Sequence, residues 1–411
     1  MRQTKMRSDC EKVSLLLVGI GGFGNFYIRE LLYGARAEVF QIVGAVDPYA
    51  GTGETARELH DRGIPVFDTL EEFYRIHRAE LAVLVTPIHL HAGQACYCME
   101  HGSDVLCEKP ICAFPGDAWA MIEARNRTGR KLAIGFQWSF DEAILRLKQD
   151  IMDGVYGKIR RMRTIVFFPR GLTYYRRGSG WAGRRKLDTG QWILDSVASN
   201  AAAHYLHNML FLCGSRISES AEPRVMEAEV YRANPIEMFD TCALRVSVTD
   251  GAELLFYATH AVPGAQAREP EFVLEGEKGT VTLGYREGET AMWGCTADGR
   301  VTVYEKPGAD GMGKLSCMEG AIRKGEPLSC VAETALPHLK CIWGLAESFP
   351  ETPRFPERYI EYEEDGEQYT CRGLGEALDN CWQKGSLPYE EEMAWARKPH
   401  EIFLGNTFYH E

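Results

Sequence analysis

The chain has 411 residues, of which 45% are hydrophobic and 25% charged, so collagen-like, low-complexity and wholly disordered readings are excluded and two or more domains are predicted. With 46 Lys+Arg against 58 Asp+Glu the formal charge is -12, which repels phosphate backbones and anionic lipid and predicts neither a nucleic-acid nor a membrane partner. Thirteen cysteines lie scattered, with only Cys96/Cys98 and Cys107/Cys112 close and no CxxC pair, as in a reducing cytosol. Arg2, Lys5 and Arg7 precede the apolar Val13–Ile20, but Asp9, Glu11 and Lys12 interrupt a signal-peptide pattern, and no apolar run reaches the ~20 residues of a membrane span. A cytoplasmic protein is expected.

The first third alternates strand-like and helix-like segments. Strands are predicted at Val13–Val18, Gln41–Val46, Pro65–Phe67, Leu81–Val85, Ser103–Cys107 and Lys131–Gly135. Helices are predicted at Phe23–Leu32, Thr52–Asp61, Leu70–His77, Ala92–His101 and Gly116–Thr128, with Gly63, Gly102 and Gly129 at ends that favour a left-handed residue. Phe140–Gly154 carries one apolar helical face. From Lys158 to about Tyr304 the chain turns strand-rich, at Ile159–Phe168, Arg224–Tyr231, Cys242–Val248, Glu253–His260, Phe272–Glu275 and Thr280–Gly284, with turns at Asp250-Gly251 and Asp298-Gly299. Ala198–Cys213 interrupts it with helical spacing, and Cys330–Glu347 and Leu374–Lys384 are helical patterns expected to fold back over both domains. The predicted fold is α/β, a doubly wound parallel Rossmann sheet (residues 1–136), followed by an α+β domain with an open, mostly antiparallel sheet (residues 137–411).

Gly19-Ile20-Gly21-Gly22-Phe23-Gly24 is G-x-G-x-x-G where a buried strand meets a helix. The first glycine permits the turn, the second lets backbone N–H groups approach a pyrophosphate, and the third brings helix and strand close. Asp47 closes the second strand at the distance where a carboxylate accepts the adenosine ribose hydroxyls, and Pro48-Tyr49-Ala50 offer no cation for a 2′-phosphate, which favours NAD over NADP. Thr86-Pro87 and His91 end the fourth strand as a loop expected along the cofactor. His89-x-His91 lacks further ligands at metal spacing, so no metal is predicted. Glu108-Lys109-Pro110 ends the fifth strand on the same edge.

These residues, with Gly135-Phe136-Gln137, Gly157-Lys158-Ile159 and the helix Asn200–Gly214, resemble the Gfo/Idh/MocA oxidoreductases over nearly the whole chain. The resemblance implies a Rossmann domain followed by a sheet domain, a bound dinucleotide touching Gly19–Gly24, Asp47, Thr86, Pro87, His91, Glu108, Lys109 and Gln137, and a dimer or tetramer formed through the sheet. It also implies that Lys109 acts with a helix bearing D-x-x-x-H. Here that stretch reads Asn200-Ala201-Ala202-Ala203-His204, so the aspartate is replaced by an amide that cannot take a proton. Lys109 and His204 must then do more of the work, or Asp195 substitutes. Spacing i, i+4 predicts Asn200 and His204 on one helix face, with His207 a turn beyond.

Oxidation of a secondary alcohol sends hydride to a nicotinamide and a proton to a base. A lysine at ~10.4 is too basic unless perturbed, whereas a histidine at ~6.5 suits. Tyr174, Arg176, Trp181 and Arg184, in an aromatic and basic stretch from Arg170 to Lys186, are expected to hold a carbohydrate, with Asn200, His204, His207 and Lys109 beside it. A solvated basic loop and an RNA strip are the other readings of that stretch; Asp240-Thr241 and His260 are further candidates for the cleft. The expected activity is an NAD-dependent sugar or polyol dehydrogenase. The alternatives are an NAD-dependent glycosidase or lyase working through a transient keto-sugar, and a non-catalytic NAD- and sugar-sensing regulator.

Overall fold

The computed structural model describes residues 12–51, 53–177 and 180–405. Arg2, Lys5, Arg7, Asp9, Glu11, the Thr52 helix start and Ser179 of the basic stretch lie outside the described residues. The described residues form two compact units, one within 12–112, 116–140 and 310–332, the other within 113–115, 141–309 and 333–405.

In the first unit β1 (Val13–Val18), α1 (Gly24–Tyr33), β2 (Phe40–Val46), α2 (Glu54–Asp61), β3 (Val66–Phe67), α3 (Leu70–Ile76), β4 (Leu81–Leu84), α4 (His91–Glu100), β5 (Asp104–Cys107), α5 (Pro115–Thr128) and β6 (Leu132–Ile134) succeed one another. The strands pair in parallel in the order β3-β2-β1-β4-β5-β6, the doubly wound pattern. β4 is wholly apolar, and β1 and β5 are apolar apart from Ser14 and Asp104, because the middle strands of such a sheet are covered on both faces. Backbone bonds continue past the strand ends: Gly19 N–H donates to Val46 O at 2.8 Å, Glu108 N–H to Leu84 O at 2.9 Å and Gly135 N–H to Cys107 O at 2.7 Å. The loops after β1, β2, β4, β5 and β6 thus share one carboxyl edge, where open α/β sheets bind ligands.

The second unit begins with α6 (Glu142–Met152), capped by the Asp141 carboxylate, which accepts from Ala143 and Ile144 N–H. β7 (Ile159–Phe167) follows, then α7 (Leu172–Tyr175), α8 (Ala203–Leu212), β8 (Pro223–Tyr231), β9 (Thr241–Val248), β10 (Glu253–Thr259), β11 (Arg268–Gly276), β12 (Gly279–Arg286), β13 (Glu289–Thr296) and β14 (Val301–Tyr304). The chain next contributes α9 (Gly313–Lys324) to the first unit, then α10 (Ala332–Ser348), the hairpin β15 (Ile360–Glu363) and β16 (Gln368–Cys371), α11 (Leu374–Lys384) and β17 (His400–Phe403) to the second. Nine strands form one sheet, β14-β13-β12-β11-β7-β10-β9-β8-β17, antiparallel except for β7 against β10. Ile165, Phe167, Leu255 and Tyr257 pack on Leu374, Leu378 and Trp382, so α11 covers that sheet face from within the chain.

The expected boundary at 136 needs correcting. Gln137–Phe140 still belongs to the first unit, and so does 310–332, whose helix α9 carries too little apolar periodicity to stand out in the sequence. Helices α10 and α11, expected to fold back over both domains, belong to the second unit. None of the twelve cysteines among the described residues is in a disulfide, and no helix among those residues is long and apolar enough to cross a membrane.

One buried carboxylate gives the second unit a pH dependence. Glu229 is 2% exposed, accepts from Tyr231 Oη at 2.6 Å and Tyr389 N–H at 2.8 Å, and burial raises its pKa to about 7. The unfolded chain ionises this carboxyl near its ordinary value, so stability falls as pH rises from there through about 7 and is level above. Glu229→Gln keeps one acceptor and removes the ionisation. It is expected to gain about 1–3 kcal/mol over the native chain at pH 8 and little at pH 4, read by urea unfolding at both pH values.

Candidate functional site

The loop between β1 and α1 has the geometry its glycines predict. Gly19 has φ +88°, and a Cβ there would stand 2.7 Å from Val85 O; a Cβ on Gly24 would stand 2.3 Å from Gly19 O. Gly21 and Gly22 face open space, Phe23 is 42% exposed, and the first turn of α1 has neither a side-chain cap nor an acidic residue. The first-turn N–H groups of Gly24, Asn25 and Phe26 donate to the carbonyls of Gly21, Gly22 and Phe23, and the open loop with the partial positive charge of the helix end suits a pyrophosphate. Asp47 is half-buried beside them, its carboxylate accepting from Ile20 N–H at 3.0 Å and Tyr49 N–H at 2.9 Å, which fixes its direction while lone pairs remain for ribose hydroxyls. These residues fit a dinucleotide.

Along the same edge Thr86 Oγ1 donates to Gln94 Oε1 at 2.5 Å and Pro87 opens the 3₁₀ turn Ile88–Leu90. His91, expected on the cofactor, is instead 1% exposed. Its Nδ1 lies 2.9 Å from Pro110 O and its Nε2 2.8 Å from Thr86 O, so it ties the loop after β4 to the loop after β5. Burial lowers its pKa. Glu108 turns inward as well: it accepts from Tyr27 Oη at 2.6 Å and from Lys314 Nζ. Burial would raise its pKa, yet the Lys314 ammonium outweighs that and holds the carboxyl below its ordinary value. Next to Glu108, Lys109 is half-buried at the end of β5 in a cis peptide with Pro110. Gln137 is half-buried in the 3₁₀ turn Gln137–Phe140.

In the second unit the predicted helix is not regular at its start. Val197–Ala201 is a π turn, Ala202 leaves it at φ -101° and ψ 11°, and α8 begins at Ala203. The cause is a capping box, Ser199 N–H to Ser196 Oγ at 3.2 Å and Ser196 N–H to Ser199 Oγ at 2.8 Å, which starts a separate turn. Asn200 and His204 are therefore not an i, i+4 pair on one regular helix face. Asp195 is 2% exposed, with Leu194 before it held at φ +50°, a strained conformation for a branched side chain. Its carboxylate accepts from Gly183 N–H at 2.6 Å and from Asn200 Nδ2 at 2.7 Å. Asp195 thus orients the amide that stands where the D-x-x-x-H pattern has its acid. His204 and Asn200 are half-buried, whereas His207 is 1% exposed, stacked on Phe211 with centroids 6.0 Å apart. Burial, with His338 and Lys148 nearby, pushes its pKa well down.

The aromatic and basic stretch is largely self-engaged. Arg177 Cζ lies 3.5 Å from the Tyr174 ring centroid and 5.0 Å from that of Trp181, so the cation already occupies a face of each ring. Burial raises the Tyr174 pKa, and the Asp195 charge adds to it. Arg176 is exposed, 3.8 Å from Glu367, and Arg184 pairs with Asp188 at 2.5 Å and Glu237 at 3.7 Å. A cavity of about 770 Å³ lies beside them, lined by Tyr175, Arg176, Arg184, Arg185, Arg232 and Glu237 among others. His260 and Asp240 are not part of it: His260 is 2% exposed with Nδ1 2.6 Å from Phe168 O, its pKa lowered by burial to about 3, and Asp240 is fully buried. Lys314 and Tyr27 are the residues the sequence reading missed. Lys314 is 206 positions from its partner Glu108, and nothing local marks it.

Residues 13–136 match the model of the oxidoreductase family with an NAD-binding Rossmann fold named for Gfo, Idh and MocA. That segment belongs to the Gfo/Idh/MocA family. Inositol 2-dehydrogenase of Rubrobacter xylanophilus is 25% identical over 300 residues, 72% of this chain and 78% of that one. A 2,7-anhydro-N-acetylneuraminate hydratase of Mediterraneibacter gnavus is 30% identical over 147 residues, 36% of this chain and 37% of its own length. The fold also matches the WlbA dehydrogenase of Bordetella pertussis, solved with NADH and UDP-GlcNAcA, at TM-score 0.66 and 22% identity over 84% of this chain and 99% of that one. Among the described residues no group of three or more His, Cys, Asp or Glu side chains is placed to hold a metal ion.

Proposed function

We propose that the chain is an NAD-dependent dehydrogenase acting on a secondary alcohol of a sugar, glycoside or polyol. The observation that carries this reading is Lys109 standing at the carboxyl end of β5, on the sheet edge that also bears the open Gly21-Gly22 loop and Asp47. NAD, when bound, supplies the two-electron acceptor. Asp47, with no cation at Pro48-Tyr49-Ala50, supports NAD over NADP. Lys109 is assigned the hydrogen bond to the reacting hydroxyl, and His204, on α8 of the second unit, the role of base. The Asn200 amide, oriented by Asp195, holds a neighbouring hydroxyl. The polyol and sugar names of the relatives support the substrate class.

The hydratase name of the Mediterraneibacter relative supports a second reading, in which the sugar is oxidised only transiently and no net redox change results. The test is to incubate the purified chain with inositols, aldoses, sugar acids and aryl glycosides. NADH formed in proportion to substrate consumed is expected. Aglycone released over many turnovers without added NAD would establish the second reading. NAD binding with no turnover on any of them would leave a sensor of NAD and sugar.

A further inference from the structure

We propose that Lys314 is a positioning residue for Lys109, supplied by α9 to the carboxyl edge of the Rossmann sheet; this rests on the reading that Lys109 acts on substrate. The Lys314 side chain has 0% exposure and its partner Glu108 8%. A dry ion pair adds little to stability over an apolar pair of equal volume, because both charges lose their hydration. What it supplies is direction. The Lys314 ammonium and Tyr27 Oη both donate to Glu108 Oε1, while Glu108 Oε2 accepts the backbone N–H of Lys109 at 3.3 Å. A Cβ at Gly135 would stand 3.1 Å from this carboxylate, so the slot admits it in one place. On the other side of Lys109, Pro110 O is held by His91 at 2.9 Å. The backbone is therefore fixed on both flanks of Lys109, and Lys314 is the anchor of one flank. The ammonium also lies 5.1 Å from the Phe23 and Tyr27 rings, which keeps that anchor in register with α1.

The experiment is Lys314→Met in the full chain, with kcat, KM and NAD affinity measured on the substrate that gives NADH. Loss of alignment at Lys109 is expected to lower kcat about 10- to 100-fold while KM and the NAD dissociation constant stay within about threefold. A folded Lys314→Met chain with kcat within about threefold of native overturns the proposal. Should that variant fail to fold, Glu108→Gln with Lys314→Met removes the uncompensated charge; the amide oxygen keeps an acceptor for the Lys109 N–H and the amide nitrogen can donate to Tyr27 Oη. It is expected to show the same kcat loss, and native kcat in it is equally fatal. Full turnover by Lys109→Ala would instead refute the reading of Lys109 itself, whereas loss there with full turnover in Lys314→Met refutes the positioning alone.

Discussion

Lys109→Ala lowers turnover about 10²–10⁴-fold and leaves NAD affinity nearly unchanged, and His204→Ala does the same. The split follows from where the groups stand. The groups proposed for the dinucleotide are the main chain of the Gly19–Gly24 loop, the first turn of α1 and Asp47, none of which either substitution removes. In the proposed reaction the hydroxyl contact and the base are the Lys109 ammonium and the His204 imidazole, which the two substitutions delete. Steady-state rates with NAD titrations on each variant decide it, and near-native turnover in both singles removes the catalytic assignment.

The Rossmann unit was readable because its signals are local. A buried strand such as Leu81–Leu84 is an uninterrupted apolar run, and Gly63, Gly102 and Gly129 adopt the positive φ that their places at helix ends demand. Boundaries agreed within a residue or two, and Leu374–Lys384 agreed at both ends. Legibility failed where the deciding partner is distant or the local geometry is not a regular helix. Glu108 and His91 sit at the right edge, but only the fold shows that Lys314 and Pro110 O turn them inward. The i, i+4 argument for Asn200 assumed 3.6 residues per turn, which the Ser196–Ser199 capping box interrupts. Burial of His207 and His260 was equally invisible, since a histidine on an apolar helix or strand carries no mark of which way it faces.

Asp240→Ala is expected to cost about 3–5 kcal/mol of stability and to leave the turnover of the folded fraction intact. Asp240 is 0% exposed at the corner between β8 and β9. Its Oδ2 accepts from Ala233 N–H at 3.0 Å, Asn234 N–H at 2.8 Å and Asn234 Nδ2 at 2.8 Å, and its Oδ1 from Thr241 Oγ1 at 3.1 Å. Burial raises its pKa although these donors oppose the rise. Truncation leaves two main-chain N–H groups and an amide buried without an acceptor, and each such group costs about 1–3 kcal/mol. Asp240→Asn keeps one acceptor and should lose roughly half as much. Urea unfolding measures both, with turnover corrected for folded protein. A loss under about 1 kcal/mol for the alanine variant would mean the corner tolerates its orphaned donors. A fall in corrected turnover would instead return Asp240 to the substrate side, where the sequence alone had left it open.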